Sequence, residues 1–362
     1  MALRTVILKI HLCLGLVAAI FLVILGLTGS IMAFEGDINH WLHPELWYVT
    51  PRGQPMPEND LISIVQNQFP RARVLVVQFP RAGNLVQLME LTDGTSVYVN
   101  PYDGTVQGET VGMSNSDWAL GYVHQLHLRL VPDPRAAPGL APIGKTVVSF
   151  VGLMLCIMVP TGLTLWWRRK STSINWKASW FKVFFDAHQA VGVYAAFFLL
   201  IASLTGIMIG FDFGERIYYG ITRSAPPPRP QPWPSVPVPG ATPIMADQTL
   251  DIARRAMPNA TVAMLVRPLR PTGSYTVMMR VPEETSETVH SSVTIDQYSG
   301  KILNLRNYLT DSAGYRLIRF NRSIHTGDIF GLPTHILVSL SSLLLVAMVI
   351  TGVVIWWKKL AV

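Results

Sequence analysis

Charge and cysteine are both scarce in this chain. Only 14% of its 362 residues are Asp, Glu, Lys or Arg, against about 25% in an ordinary soluble domain. That deficit, beside a 50% apolar content, excludes extended disorder and points to a membrane protein. The two cysteines are Cys13 and Cys156. Both lie within apolar runs, so they read as inert packing residues. Neither a disulfide framework nor a cysteine-based zinc site can be built from them. Also missing are a nucleophile elbow, a phosphate loop, a dinucleotide fingerprint and a His-Glu-x-x-His pair, so hydrolase and ATPase readings have no support. Acidic residues are outnumbered by basic ones, 22 to 29. In a soluble protein this excess would suggest a nucleic-acid partner. Here the basic residues cluster beside apolar runs, where the positive-inside rule accounts for them and no nucleic acid is needed.

What the sequence does have is four long apolar stretches, at residues 6–34, 144–167, 188–213 and 335–357. Each can cross a bilayer, which takes about 20 residues. The first is read as a retained anchor. It exceeds the ~7–15 residues of a signal-peptide core, and no Ala-x-Ala site follows. Arg4 and Lys9 precede the first span, Arg168, Arg169, Lys170, Lys177 and Lys182 fill the loop 168–187, and Lys358 and Lys359 follow the fourth. A chain that weaves four times puts all three groups, and both termini, on one side, expected to be cytoplasmic. The long segments 35–143 and 214–334 then face outward. Trp166–Trp167 and Trp356–Trp357 mark the cytoplasmic ends as interfacial aromatics.

The chain also reads as a duplication. Span one carries His11 and, 17 positions on, Thr28-Gly29; span three carries His188 and, at the same spacing, Thr205-Gly206. Span two ends with Thr161-Gly162 before Trp-Trp-Arg-Arg, and span four with Thr351-Gly352 before Trp-Trp-Lys-Lys. In each outer segment a short amphipathic helix, at 59–72 and 246–260, precedes alternating strands. Hairpin signals follow at Asp103-Gly104 and Ser299-Gly300. The expected architecture is a mainly α membrane protein: a four-helix bundle of two repeats, each with a small α+β outer domain. Residues 225–243 hold nine prolines and should form an extended connector.

The histidines carry the functional signal. Seventeen helical residues rise about 25 Å. His11 and His188 therefore lie at the cytoplasmic level, with Thr161-Gly162 and Thr351-Gly352. His124, His127, His325 and His335 lie at the outer level. Two imidazoles facing each other across a bundle can hold one haem iron from both sides, and polar intramembrane residues tend to face the interior. His11 with His188 would hold one haem and His127 with His325 a second, the Thr-Gly steps leaving room for a flat macrocycle. Arg4, Arg168, Arg169 or Lys182 on one side, and Arg129, Arg319 or Arg322 on the other, could meet propionates. A lone interfacial histidine is more often a surface or packing residue. The duplication at matched depth is what sets these four apart. His40, His43 and His290 read as surface residues.

Taken together, the His11-x-x-x-Gly15 opening, the Leu-Thr-Gly steps, the paired Thr-Gly-x-x-x-Trp-Trp endings, Ile324-His325-Thr326-Gly327 and Asn100-Pro-Tyr-Asp-Gly104 resemble the PepSY-associated transmembrane family over nearly the whole chain. Within it the chain is similar to inner-membrane siderophore reductases of the FoxB type. The resemblance implies two b-type haems, PepSY-like periplasmic domains, a bacterial inner-membrane location and reduction of a ferric siderophore. Histidine on both sides of the iron favours electron transfer over oxygen binding. His335 breaks the repeat by aligning with Lys145, and is an alternative outer ligand to His325, as His124 is to His127. No flavin or nicotinamide motif appears, so a quinol or a cytoplasmic reductase must donate the electrons. The competing functions are a peptide-binding or protease-regulating membrane protein without enzymatic activity, and an iron-chelate transporter.

Overall fold

A computed structural model describes residues 3–111, 118–133, 136–227, 233–284 and 289–360. In chain order the helices are α1 (Leu3–Met32), α2 (Glu35–Leu42), α3 (Pro44–Trp47), α4 (Glu58–Gln68), α5 (Trp118–Arg129), α6 (Leu140–Trp167), α7 (Trp180–Gly210), α8 (Phe213–Thr222), α9 (Ala246–Ala256), α10 (Ala313–Thr326) and α11 (Leu332–Leu360). The strands are β1 (Val74–Gln78), β2 (Gln87–Leu91), β3 (Thr95–Val99), β4 (Val106–Val111), β5 (Thr261–Val266), β6 (Ser274–Arg280), β7 (Ser291–Asp296) and β8 (Ile302–Arg306). They fall into a helical unit (Met1–Glu35, Trp118–Ser224, Leu317–Val362) and a sheet unit (Gly36–Asp117, Ala225–Arg316).

In the helical unit, α1, α6, α7 and α11 are long and apolar enough to cross a membrane. They form a ring, with α1 and α7 each packed on both α6 and α11. Neighbours run antiparallel. Ser339 Oγ, near the start of α11, donates to the Ser30 carbonyl, near the end of α1, at 3.0 Å. Gly210 at the end of α7 likewise meets Ser149 near the start of α6. Small residues permit this closeness: a methyl group on Gly26 would stand 2.8 Å from the Ser342 carbonyl oxygen. The middle of the ring is apolar, with Ala18, Leu22, Val151, Leu155, Ala195 and Leu199 buried together. Helices α6 and α7 begin before the runs expected at Gly144 and His188: Leu140-Ala-Pro-Ile143 extends the apolar run of α6, and α7 adds about two mixed polar and aromatic turns from Trp180. Cys13 is exposed on α1 and Cys156 half-buried, so the packing role expected of Cys13 does not hold.

In the sheet unit each of the two segments contributes four strands and one helix packed in the shared core, α4 or α9, with α2 and α3 preceding α4 in the first. Among the described residues the eight strands make a single antiparallel sheet in the order β4-β3-β2-β1-β5-β6-β7-β8. The segments join where β1 meets β5, with Val77 opposite Leu265. Pairing these strands removes two edges that would otherwise present unpaired N–H and C=O groups. One core serves both: Leu61 and Val65 of α4 and Leu250 and Ala253 of α9 are buried with Val77, Val97, Leu265 and Val293. The expected hairpin turns are present. Gly104 and Gly300 take φ of +72° and +70°, left-handed values that suit glycine. The Asn100 and Asp296 side chains accept from the Tyr102 and Tyr298 N–H groups, at 3.0 Å each. Part of the proline-rich connector, 228–232, lies outside the described residues; 233–243 is neither helix nor strand.

The two outer helices cap each other. The Asp247 carboxylate accepts from the backbone N–H groups of Glu58 (2.7 Å) and Asn59 (3.0 Å). Asn59 Oδ1 accepts from the Ala246 N–H at 2.9 Å. Each helix start thus finds its missing acceptor on the other helix. Glu58 is 4% exposed. Its two oxygens accept from the Gln87 amide at 2.8 Å each. Burial raises its carboxyl to about 7, opposed by Gln87 and reinforced by Asp247.

A carboxyl whose folded pKa is raised holds its proton in the folded state after the unfolded chain has lost its own. Stability therefore falls as pH rises from about 4.5 through about 7. Glu58→Gln should remove this loss. Its thermal midpoint should exceed the parent's at pH 8, by up to about 3 kcal/mol in stability, and match it near pH 4.5. A variant no more stable at pH 8 would refute a buried, titrating Glu58.

Candidate functional site: two histidine pairs in the bundle

Four histidines reach into the helical unit, each seated on a Thr-Gly step of another helix. His11 of α1 places Nδ1 3.1 Å from Thr161 Oγ1 on α6, and 3.2 Å from the Met158 carbonyl. His188 of α7 places Nδ1 2.9 Å from Thr351 Oγ1 on α11. His127 of α5 and His325 of α10 do the same at the other end of the bundle, with Thr28 on α1 at 3.0 Å and Thr205 on α7 at 2.9 Å.

The direction of these bonds follows from the helices. A threonine in a helix sends its own proton back to the carbonyl four residues earlier. Thr161, Thr351, Thr28 and Thr205 all do so, to Ile157, Ala347, Ile24 and Ile201, at 2.7–2.9 Å. With that proton used, the hydroxyl can only accept, and Nδ1 of each histidine must donate. In a neutral imidazole the other nitrogen, Nε2, then carries the lone pair. Among the described residues Nε2 of these four makes no hydrogen bond. Burial holds His127 and His325 neutral, each lowered to about 4.

The glycines complete each seat. A methyl group on Gly162, Gly352, Gly206 or Gly29 would stand 3.1, 3.2, 3.1 or 2.9 Å from Cε1 of His11, His188, His325 or His127. The steps expected to leave space for a flat ring instead hold the imidazole itself. They fix its plane by contact and its tautomer by hydrogen bond.

The pairing by depth is also visible. The His11 and His188 rings have centroids 6.4 Å apart and planes at 87°. His325 is one of the groups whose charge bears on His127. The alternative outer ligands lie elsewhere: His124 Nδ1 meets Glu35 Oε2 at 2.8 Å, and His335 Nε2 meets Asp328 Oδ1 at 3.2 Å. His335 packs against Gly327 of the Thr326-Gly327 step, but its ring nitrogen meets Asp328 rather than the threonine hydroxyl. Of the cations proposed for propionates, Lys182 pairs with the buried Asp186, and Arg169 lies over the Phe185 ring at 5.0 Å. Arg4, Arg168, Arg129 and Arg322 are exposed, and Arg319 is half-buried. His40 and His43 are partly exposed. His290, read as a surface residue, is buried at 8% exposure, its N–H on Glu284 and its ring beside Tyr308 and Tyr315.

His11 and His188 offer two ring nitrogens across an apolar bundle, an arrangement able to ligate a metal from two sides; His127 and His325 hold matching seats at the other end. Among the described residues no three His, Cys, Asp or Glu side chains converge as a metal cage. The sequence alone missed the hydroxyls as acceptors. The signal was there, since a helical threonine is a ready acceptor once its proton is bound to its own helix.

The chain matches the PepSY-associated TM region over residues 8–359. It belongs to that family. The match takes in all four spans and both outer segments, and makes the chain a multi-pass membrane protein. No curated protein matches it.

Thr205→Val removes the hydroxyl and keeps the shape. It should strand the His325 Nδ1 proton and cost about 1–3 kcal/mol of stability, while Thr205→Ser should restore most of it. Thermal unfolding of the detergent-solubilised chain reads both, and an unaffected Thr205→Val would mean that the seat is not formed.

Proposed function

We propose that this family member is a di-haem electron-transfer protein, built from two repeats, that reduces ferric iron held in a siderophore on the outer side of a bacterial inner membrane. The observation that carries the reading is the set of four histidines, each with Nδ1–H fixed on a threonine and Nε2 left as a lone pair. A histidine that ligates a metal characteristically donates its other ring N–H to a fixed acceptor. Two nitrogens fill only two positions around an iron, and a porphyrin supplies the remaining four. With metal–imidazole bonds of about 2 Å, two ligating rings have centroids about 6 Å apart; His11 and His188 stand at 6.4 Å. The residues present therefore fit a haem at this level, through His11 and His188, and the matching seats support a second through His127 and His325.

Bound haem would supply a one-electron couple between ferric and ferrous iron. The protein's part is to position and insulate. Held by one histidine from each side, a haem would serve electron transfer rather than oxygen binding. The buried Leu22, Val151, Leu155 and Leu199 separate the two levels with apolar packing, which suits the passage of electrons better than that of ions or chelates. One electron delivered to a ferric siderophore weakens the hold of its hard oxygen ligands, and the iron is released. The electron enters from a quinol or a cytoplasmic reductase. The repeat reading is supported by the matched seats and by the eight-stranded sheet, in which each segment adds four strands in mirrored order.

The purified protein should show a b-type absorption spectrum with two haems per chain. His188→Ala should lose one haem and keep the other, His325→Ala the reverse, and the double variant should be colourless. In liposomes holding dithionite inside, the parent should reduce an external ferric siderophore, read with an impermeant ferrous-specific dye, and both single variants should fail. A colourless parent, or full haem content in His188→Ala, would overturn the assignment.

A further inference from the structure

A cleft of about 500 Å³ opens in the helical unit where the start of α1 meets the end of α6. Ile7, Leu163, Leu165 and Trp167 wall it, and Arg4 and Arg168 line it as well. Both arginines are exposed. Lys9 and Lys177 do not line the cleft, and four further cations at this end of the bundle are engaged. Arg169 lies over Phe185, Lys170 over Trp167 and Lys358 over Trp180, while Lys182 pairs with Asp186. Among the described residues, Arg4 and Arg168 have neither an acidic nor an aromatic partner. Two unpaired guanidinium groups thus border one apolar cleft between two helices that can span a membrane.

We propose that this cleft binds an anionic phospholipid, its phosphate on Arg4 and Arg168 and an acyl chain along Ile7 and Leu163. Charge decides the occupant. A phosphodiester can meet both guanidinium groups, and basic pockets between membrane helices favour such head groups. An uncharged lipid or a quinone would fill the apolar walls and leave both cations unmatched. The lipid would cover one flank of the His11 seat. Ile7 lies one helical turn before His11, and Leu163 follows the glycine on which the His11 ring rests. This site does not depend on the redox reading.

The test uses the full chain in detergent, freed of lipid and titrated with phosphatidylglycerol or phosphatidylcholine of the same acyl length. Binding is followed by tryptophan fluorescence and by native mass spectrometry. Phosphatidylglycerol should bind saturably, and phosphatidylcholine should not. Removing charge in R4Q and R168Q should weaken binding roughly fivefold for each guanidinium. R4K/R168K should retain most of it, and K9Q, outside the cleft, should match the parent. Equal binding of the two lipids overturns the proposal. So does parental affinity in R4Q/R168Q while R4K/R168K stays folded, or a short-chain quinone that phosphatidylglycerol cannot displace.

Discussion

The hydrogen bond from a histidine Nδ1–H to a helical threonine hydroxyl is the interaction on which the rest of this molecule turns. It works because the threonine's own proton is bound to its helix. Thr205 Oγ1 sits 2.7 Å from the Ile201 carbonyl and 2.9 Å from His325 Nδ1, so its oxygen has one role left. That fixes the tautomer, and the tautomer fixes which nitrogen is available to a metal. The neighbouring glycine is needed for the same reason. A side chain there would push the ring off the hydroxyl before any ligand arrived. Thr and Gly together make a seat that neither makes alone, and the bundle has four of them.

The four seats use two kinds of connection. His11 and His188 belong to spanning helices, so their depth follows directly from the span. His127 and His325 belong to the shorter helices α5 and α10, and their depth follows from packing on α1 and α7. The inner pair was therefore the easier to place from sequence. The outer pair had rivals, since His124 and His335 are as near in sequence. What separates them in the structure is partner chemistry. His124 and His335 each face a carboxylate, Glu35 or Asp328, whereas His127 and His325 face a hydroxyl that can only accept. The accepting hydroxyl leaves Nδ1 as the donor and Nε2 with the lone pair, and burial holds His127 and His325 neutral.

Local patterns were legible and long-range pairings were not. The spans, the depth of each histidine and the Gly104 and Gly300 turns follow from periodicity and from turn chemistry over a few residues. The union of β1 with β5 does not. It pairs Val77 with Leu265 across about half of the chain, and no local signal specifies a partner so far away. The reciprocal caps of Asn59 and Asp247 escaped for the same reason: each reads locally as an ordinary polar residue near a helix start. The burial of His290 was not legible, because it stands in irregular chain just before β7, where no periodicity marks an inward face.

On the proposed reading, the apolar middle of the bundle explains why there are two levels rather than one. His11 and Thr28 are 17 residues apart on one helix, about 25 Å of rise. A single cofactor held at either end would leave that distance to be crossed through aliphatic side chains. Two cofactors, one at each end, shorten the gap from both sides while Leu22, Leu155 and Leu199 keep water and ions out of it. A wetter core would let protons and metal ions follow the electron, and the chain would leak what it is meant to separate. The same leucines that hold the four helices together thus define what can pass between the histidine pairs. Stability and selectivity rest on one set of contacts.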